Sequence, residues 1–121
     1  MMKFHAWIAI AVLALSVPHY AAAASLKTRA QWEQQVRAIA LKKLPRPVRR
    51  KPGQWIAVVQ FIVMRDGRVR ASSLHRSSGF APVDAAARKM LDRTSLLPPF
   101  AADMKEAETT LTMPVRYGFP G

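Results

Sequence analysis

Between Asp66 and Gly79 the sequence DGRVRASSLHRSSG brings together an aspartate, a histidine and four serines. These are the residue types of a nucleophilic hydrolase, in which a serine hydroxyl needs an imidazole base in hydrogen-bond reach and the base needs a carboxylate to orient it. Their spacing argues against that chemistry. Asp66-Gly67 stands between two strand-like runs, where Asp-Gly is a hairpin signal. Ser72, Ser73 and His75 then fall on the returning strand. Successive side chains of a strand point to opposite faces, and same-face neighbours lie about 7 Å apart. The strained Gly-x-Ser-x-Gly elbow is absent. Ser77 and Ser78 precede Gly79, where the backbone is free to turn. We therefore expect no catalytic residue in this stretch, and His75 as a partly exposed strand residue. It is the only histidine after residue 24, the chain has no cysteine and its carboxylates are scattered, so neither a metal site nor a cofactor is expected.

The elements around this stretch are legible from periodicity. Thr28 and Gln31 fit a capping box at a helix start. Trp32, Val36, Ile39, Ala40 and Leu44 follow at helical spacing as one apolar stripe, and Pro45 ends the helix. QWIAVVQFIVM, residues 54–64, is apolar at both parities and rich in β-branched residues, which marks a strand central in its sheet. RVRASSLHR, residues 68–76, is its hairpin partner. Val69 and Leu74 have opposite parity there, so a bulge near Ala71 or Ser72 is needed to put both on one face. Pro82 and Asp84 suit the first turn of a second helix, whose stripe is Val83, Ala86, Ala87, Met90 and Leu91. Pro98 and Pro99 end that region. In TLTMPVRYGF, residues 110–119, Leu111, Met113, Val115, Tyr117 and Phe119 alternate with polar or small residues. This predicts a strand with one face in the core, and Pro114, which cannot donate a ladder bond, places it at a sheet edge. The expected fold is α+β: a three-stranded antiparallel sheet with two helices packed on one face, in the order helix-strand-strand-helix-strand.

Charge and the N-terminus bound the location and the partners. The first 24 residues have a basic start, the apolar run AWIAIAVLALSV and an Ala-x-Ala exit, the pattern of a signal peptide. The alternative is a short uncleaved anchor facing the periplasm. Residues 25–53 are then the first helix and a basic, proline-containing connector, and residues 54–121 the main domain. The chain has 19 Lys and Arg against 7 Asp and Glu, a net charge of +12. Lys42, Lys43, Arg46, Arg49, Arg50 and Lys51 crowd into and before the connector. No aromatic residues interleave with them, and export removes most nucleic acid, so nucleic acid is not expected as a partner. Contact of Arg46, Arg49, Arg50 and Lys51 with anionic lipid or glycan of the envelope is the functional alternative for these cations; a solvated linker is the plainer one. The edge strand offers a different surface, since its free backbone groups can accept an added strand. Pro114 could equally serve to blunt that edge.

The ordered set VVQFIVMRDGRVR, Ser77-Ser78-Gly79, Asp84 with Ala86 and Ala87, Pro98-Pro99 and Pro114-Val115-Arg116-Tyr117 resembles the TonB C-terminal domain family, over about residues 54 to 119. The resemblance implies a periplasmic domain that couples an inner-membrane motor complex to outer-membrane transport receptors. It implies no enzymatic activity. A receptor segment, the TonB box, would join the sheet along Thr110, Thr112, Pro114, Arg116 and Tyr117, and members of the family can also pair as homodimers. Motor coupling requires a retained N-terminus. Ser16 and His19 stand in the leader, with Pro18 interrupting the helix face they would share. The resemblance makes the Ser-Ser-Gly stretch a scaffold feature.

Overall fold

The computed structural model describes residues 26–121. The expected leader, residues 1–24, with Ser16 and His19, lies outside the described residues. The elements are α1 (Arg29–Lys42), β1 (Gly53–Met64), β2 (Val69–Arg76), α2 (Ala81–Asp92) and β3 (Glu108–Phe119). The three strands form one antiparallel sheet in the order β2-β1-β3. This is the α+β fold and element order expected from the sequence.

Each element forms for a local reason. Thr28 caps α1 by accepting a hydrogen bond from the Gln31 amide, and the Gln31 side chain returns to the Thr28 amide, so the capping box closes. Trp32, Val36 and Ala40 are its buried stripe. Trp32 is fully buried, packs edge-on against Phe100 with ring centroids 5.2 Å apart, and donates its indole N–H to the Pro98 carbonyl at 2.9 Å. The hairpin turn between β1 and β2 is closed by the Gly67 amide donating to the Met64 carbonyl and the Met64 amide to the Arg68 carbonyl. Gly67 takes a φ of 95°, which only glycine adopts without cost. The turn is therefore the three-residue kind in which a glycine follows a type I bend. A Cβ on Gly67 would lie 2.0 Å from the Leu97 carbonyl oxygen, so the glycine is needed twice over.

The core lies between the helices and one face of the sheet. Ala57, Val59, Phe61 and Val63 of β1 and Leu111, Met113 and Val115 of β3 meet Trp32 and Val36 of α1 and Val83, Ala87 and Met90 of α2. Each large apolar side chain fully buried there contributes about 1.5–3 kcal/mol. β1 is central, as its composition suggests, but only its odd residues are buried. Ile56, Val58, Ile62 and Met64 face the other side, which no described helix covers, and stay half-exposed or exposed.

Val69 and Leu74 both pack on the core, as a bulge requires. One irregularity falls beside Ala71, as expected, and a second lies further along the strand. Val63 pairs with Val69 and Ile62 with Ala71, which leaves Arg70 as the extra residue; Val59 pairs with Leu74 and Val58 with Arg76, which leaves His75 as a second. Ala71 and Ser72 are regular ladder positions. No helix among the described residues is long and apolar enough to cross a membrane.

Candidate functional site

The opening cluster of serines, histidine and aspartate resolves into structure. Asp66 belongs to the turn: its carboxylate accepts from the Arg68 amide at 3.1 Å and from the Arg68 guanidinium at 2.8 Å. Those bonds hold its carboxyl below the usual value. Ser72 and Ser73 are ladder residues and His75 is the exposed bulge residue. Ser77 and Ser78 both donate their hydroxyls to a carboxylate, and it comes from Asp84 in α2. The Ser78 amide donates to the same group at 2.8 Å. Burial pushes the Asp84 carboxyl up, but the hydroxyls of Ser77 and Ser78 and the Ser78 amide, aided by Arg88, outweigh it and leave the carboxyl below its ordinary value. A serine hydroxyl bonded to a carboxylate with no interposed imidazole has no base of suitable pKa. This is a knot that ties the end of β2 to the start of α2. The first-turn position of Asp84 was legible in the sequence; its serine partners were not.

Among the described residues no three His, Cys, Asp or Glu side chains gather where a metal ion could sit. The features left to carry function are the sheet edges and the connector.

The two edges differ. β2 is short, interrupted at Arg70 and His75, and tied down at its start: the Val69 amide donates to the Ser95 carbonyl at 3.0 Å, and Arg68 bridges to Leu96. β3 pairs with β1 without a register shift from Glu108 to Phe119, and no described element pairs with its other side. The direction of its backbone groups follows from the register. Just beyond the strands, the Arg65 amide donates to the Ala107 carbonyl at 3.1 Å, in line with the Met64–Glu108 pair. Bonded and non-bonded pairs alternate along an antiparallel ladder. The odd residues of β3 therefore bond to β1, and the amides and carbonyls of Thr110, Thr112, Arg116 and Gly118 point away from the sheet. Pro114, opposite Val58, falls in this outward set, so its missing N–H is missing from the free rim and not from the ladder.

The expected edge residues divide accordingly. Thr110, Thr112, Pro114 and Arg116 are exposed, on the uncovered face, with outward backbone groups. Thr112 also accepts a hydrogen bond from the Gln60 side chain at 3.3 Å. Tyr117 lies on the helix side. It is half-buried, stacks on Phe119 at 5.8 Å and donates its hydroxyl to the Pro45 carbonyl. Burial pushes its phenol up from the ordinary value. The lower end of the strand is braced by Arg29, which reaches Thr109 and Glu106, and by Arg70, whose guanidinium meets both oxygens of Glu108 at 3.1 Å.

The connector is folded onto the domain. Pro45 is held by Tyr117, Pro47 is buried, and Pro45 to Val48 line a cleft with Pro82, Ala85, Ala86 and Lys89 of α2. The Lys51 carbonyl accepts from the Trp55 indole at 2.9 Å, and its ammonium sits 5.6 Å from the Trp55 ring. Arg46, Arg49, Arg50 and Lys51 are all exposed. Sequence reasoning missed these ties because no periodicity attaches to a single tyrosine hydroxyl or a proline in a loop.

Comparison with known proteins gives two findings. A family model described as TonB C terminal matches residues 29–115, which takes in α1 as well as the sheet. The fold is similar to that in the solution NMR structure of TolAIII bound to a peptide derived from the N-terminus of TolB, with a TM-score of 0.56 and 16% identity, over 73% of this chain and 75% of that chain. No curated protein sequence matches.

Proposed function

The chain belongs to the TonB C-terminal family, and on that premise we propose that it captures an extended segment of an outer-membrane transport receptor, a TonB box, by adding it as a fourth strand beside β3. Family and fold support a TonB/TolA-like interaction domain of the periplasm. Its work is then mechanical, with no bond made or broken. The observation that carries this reading is the regular outer rim of β3, where Thr110, Thr112, Arg116 and Gly118 offer both donor and acceptor. The other rim of the sheet is bulged and tethered, which is how proteins close an edge to partners. That the TolAIII structure holds a TolB peptide adds support for capture of a peptide segment by this fold.

The contact runs along Thr110, Thr112, Pro114 and Arg116, with main-chain bonds supplying affinity and the exposed side chains of the uncovered face supplying selection. Tyr117 contributes by holding the helix side of the strand. Titration of a TonB-box peptide into the wild-type protein and into Thr112→Pro and Arg116→Pro tests this. Each substitution deletes an outward donor, and we expect binding to weaken about tenfold. Unchanged affinity in both variants overturns the assignment of the rim. A second measurement fixes the link to the inner membrane. An intact mass beginning at Ser25 means a free periplasmic domain, whereas retention of residues 1–24 permits coupling to the motor complex. Pairing of two copies through the same rim would appear as a concentration-dependent mass that the peptide dissociates.

A further inference from the structure

The charge on this domain is sorted. The three ion pairs among the described residues, Arg29–Glu106, Arg68–Asp66 and Arg70–Glu108, lie around the hairpin end of the sheet. The opposite end carries Arg46, Arg49, Arg50 and Lys51, none of which pairs with an acid among the described residues, and Lys89 lines the cleft where the connector rests. The acid known to lie near that end, Asp84, is buried and bonded to Ser77 and Ser78.

In the middle of these cations stands Val48. It is 89% exposed, more than any other large apolar side chain among the described residues. It is not on a loose strand of chain. Pro45 on one side is bonded to Tyr117, Pro47 beside it is buried, and Lys51 on the other side is bonded to Trp55. Here the loop is tied on both sides of the valine, which stays exposed at the mouth of the cleft with arginines at positions 46, 49 and 50.

We infer that the Arg46–Lys51 loop is a docking surface for an anionic phospholipid leaflet, with Val48 entering the headgroup region and the flanking cations meeting lipid phosphates. Charge complementarity identifies the surface as anionic, since cations near such a leaflet each add a favourable increment. The exposed valine selects a lipid surface over a soluble polyanion, because only a leaflet offers a non-aqueous region for it. This site is separate from the β3 rim, and neither proposal depends on the other.

The test uses the full chain and two vesicle compositions, phosphatidylcholine alone and an equal mixture with phosphatidylglycerol. Binding to the neutral vesicles reports what the apolar segments contribute without charge, and should be the same for the wild type and the arginine variant. On the mixed vesicles the double variant Arg49→Gln/Arg50→Gln should partition about thirtyfold more weakly, and Val48→Ser about fivefold more weakly. Leu96→Ser serves as the control: Leu96 is the next most exposed large apolar residue, at 65%, but sits by Arg68 at the hairpin end, and its loss should change nothing. Wild-type partitioning by the double variant overturns the proposal. So does a loss with the arginine changes but none with Val48→Ser, which would point to a soluble polyanion, and so does an equal loss with Leu96→Ser. TonB-box peptide affinity should be unaltered in all of them, which keeps the two sites distinguishable.

Discussion

The sheet has two rims, and the chain treats them differently. β2 is bulged at Arg70 and His75 and anchored at both ends, by Ser95 at its start and by the Asp84 knot just past its end. β3 runs without interruption through its whole register; the side chains that brace it, from Arg29, Arg70 and Tyr117, leave its outward backbone groups free of described partners. Both rims carry exposed residues, so exposure alone does not separate them. What separates them is regularity. A bulge rotates successive amides out of line and denies an incoming chain a straight row of partners. A straight rim is a liability for a small protein, and leaving one straight while distorting the other argues that the straight rim is used.

Substitutions can break or sharpen this contrast. The sharpest pair lies side by side on β3. Met113→Pro removes a donor aimed at β1 and a buried side chain, and should cost about 4 kcal/mol in urea unfolding. Thr112→Pro removes a donor aimed at water and should cost under about 1 kcal/mol. Equal costs would mean that the inward and outward sets are exchanged. On the other rim, Gly67→Ala forces a Cβ against the Leu97 carbonyl at positive φ and should destabilise by about 3 kcal/mol. The effect should appear with loss of amide protection at Val69, since the same turn segment anchors the start of β2.

Asp84→Ala releases the other end of β2 and should cost about 2 kcal/mol, because two hydroxyls and an amide lose a charged acceptor. The wild type should show the same release with acid. The folded carboxyl titrates below its unfolded value, so its contribution is complete above about pH 4 and disappears as pH falls through the folded value. The Ser78 amide resonance should report it. Tyr117→Phe is the mildest change, about 1 kcal/mol, and should free the connector while leaving the β3 rim intact. Here the sign reverses. The raised phenol adds stability below about pH 10, and loses it as pH climbs through the folded value.

The sequence made the elements readable where one side of a segment must be dry. The Trp32, Val36 and Ala40 stripe, the alternation from Leu111 to Val115 and the Asp-Gly turn each repeat a pattern that burial enforces. β1 misleads in part: Ile56, Val58, Ile62 and Met64 are as apolar as their neighbours, yet no described helix covers them, so composition located the strand but not its open face. The bulge beside Ala71 followed from the opposite parity of Val69 and Leu74, whereas the one at His75 lies among polar residues on a wet rim, which carry no signal of parity. The Ser77–Ser78–Asp84 knot and the Tyr117–Pro45 tie join residues 6 to 72 positions apart through a few side-chain hydrogen bonds. Bonds of that kind leave no periodic trace. The edge position of β3 was legible from Pro114, but its outward orientation needed the register.

Pro114 also sets a condition on any guest. A chain laid against β3 finds a hydrogen to receive at Thr110, Thr112, Arg116 and Gly118, and none at Pro114. One carbonyl of the guest must therefore keep its water there. Sliding the guest by two residues passes that wet carbonyl to a different residue of its own sequence, so the proline works as a notch that tells one alignment from the next.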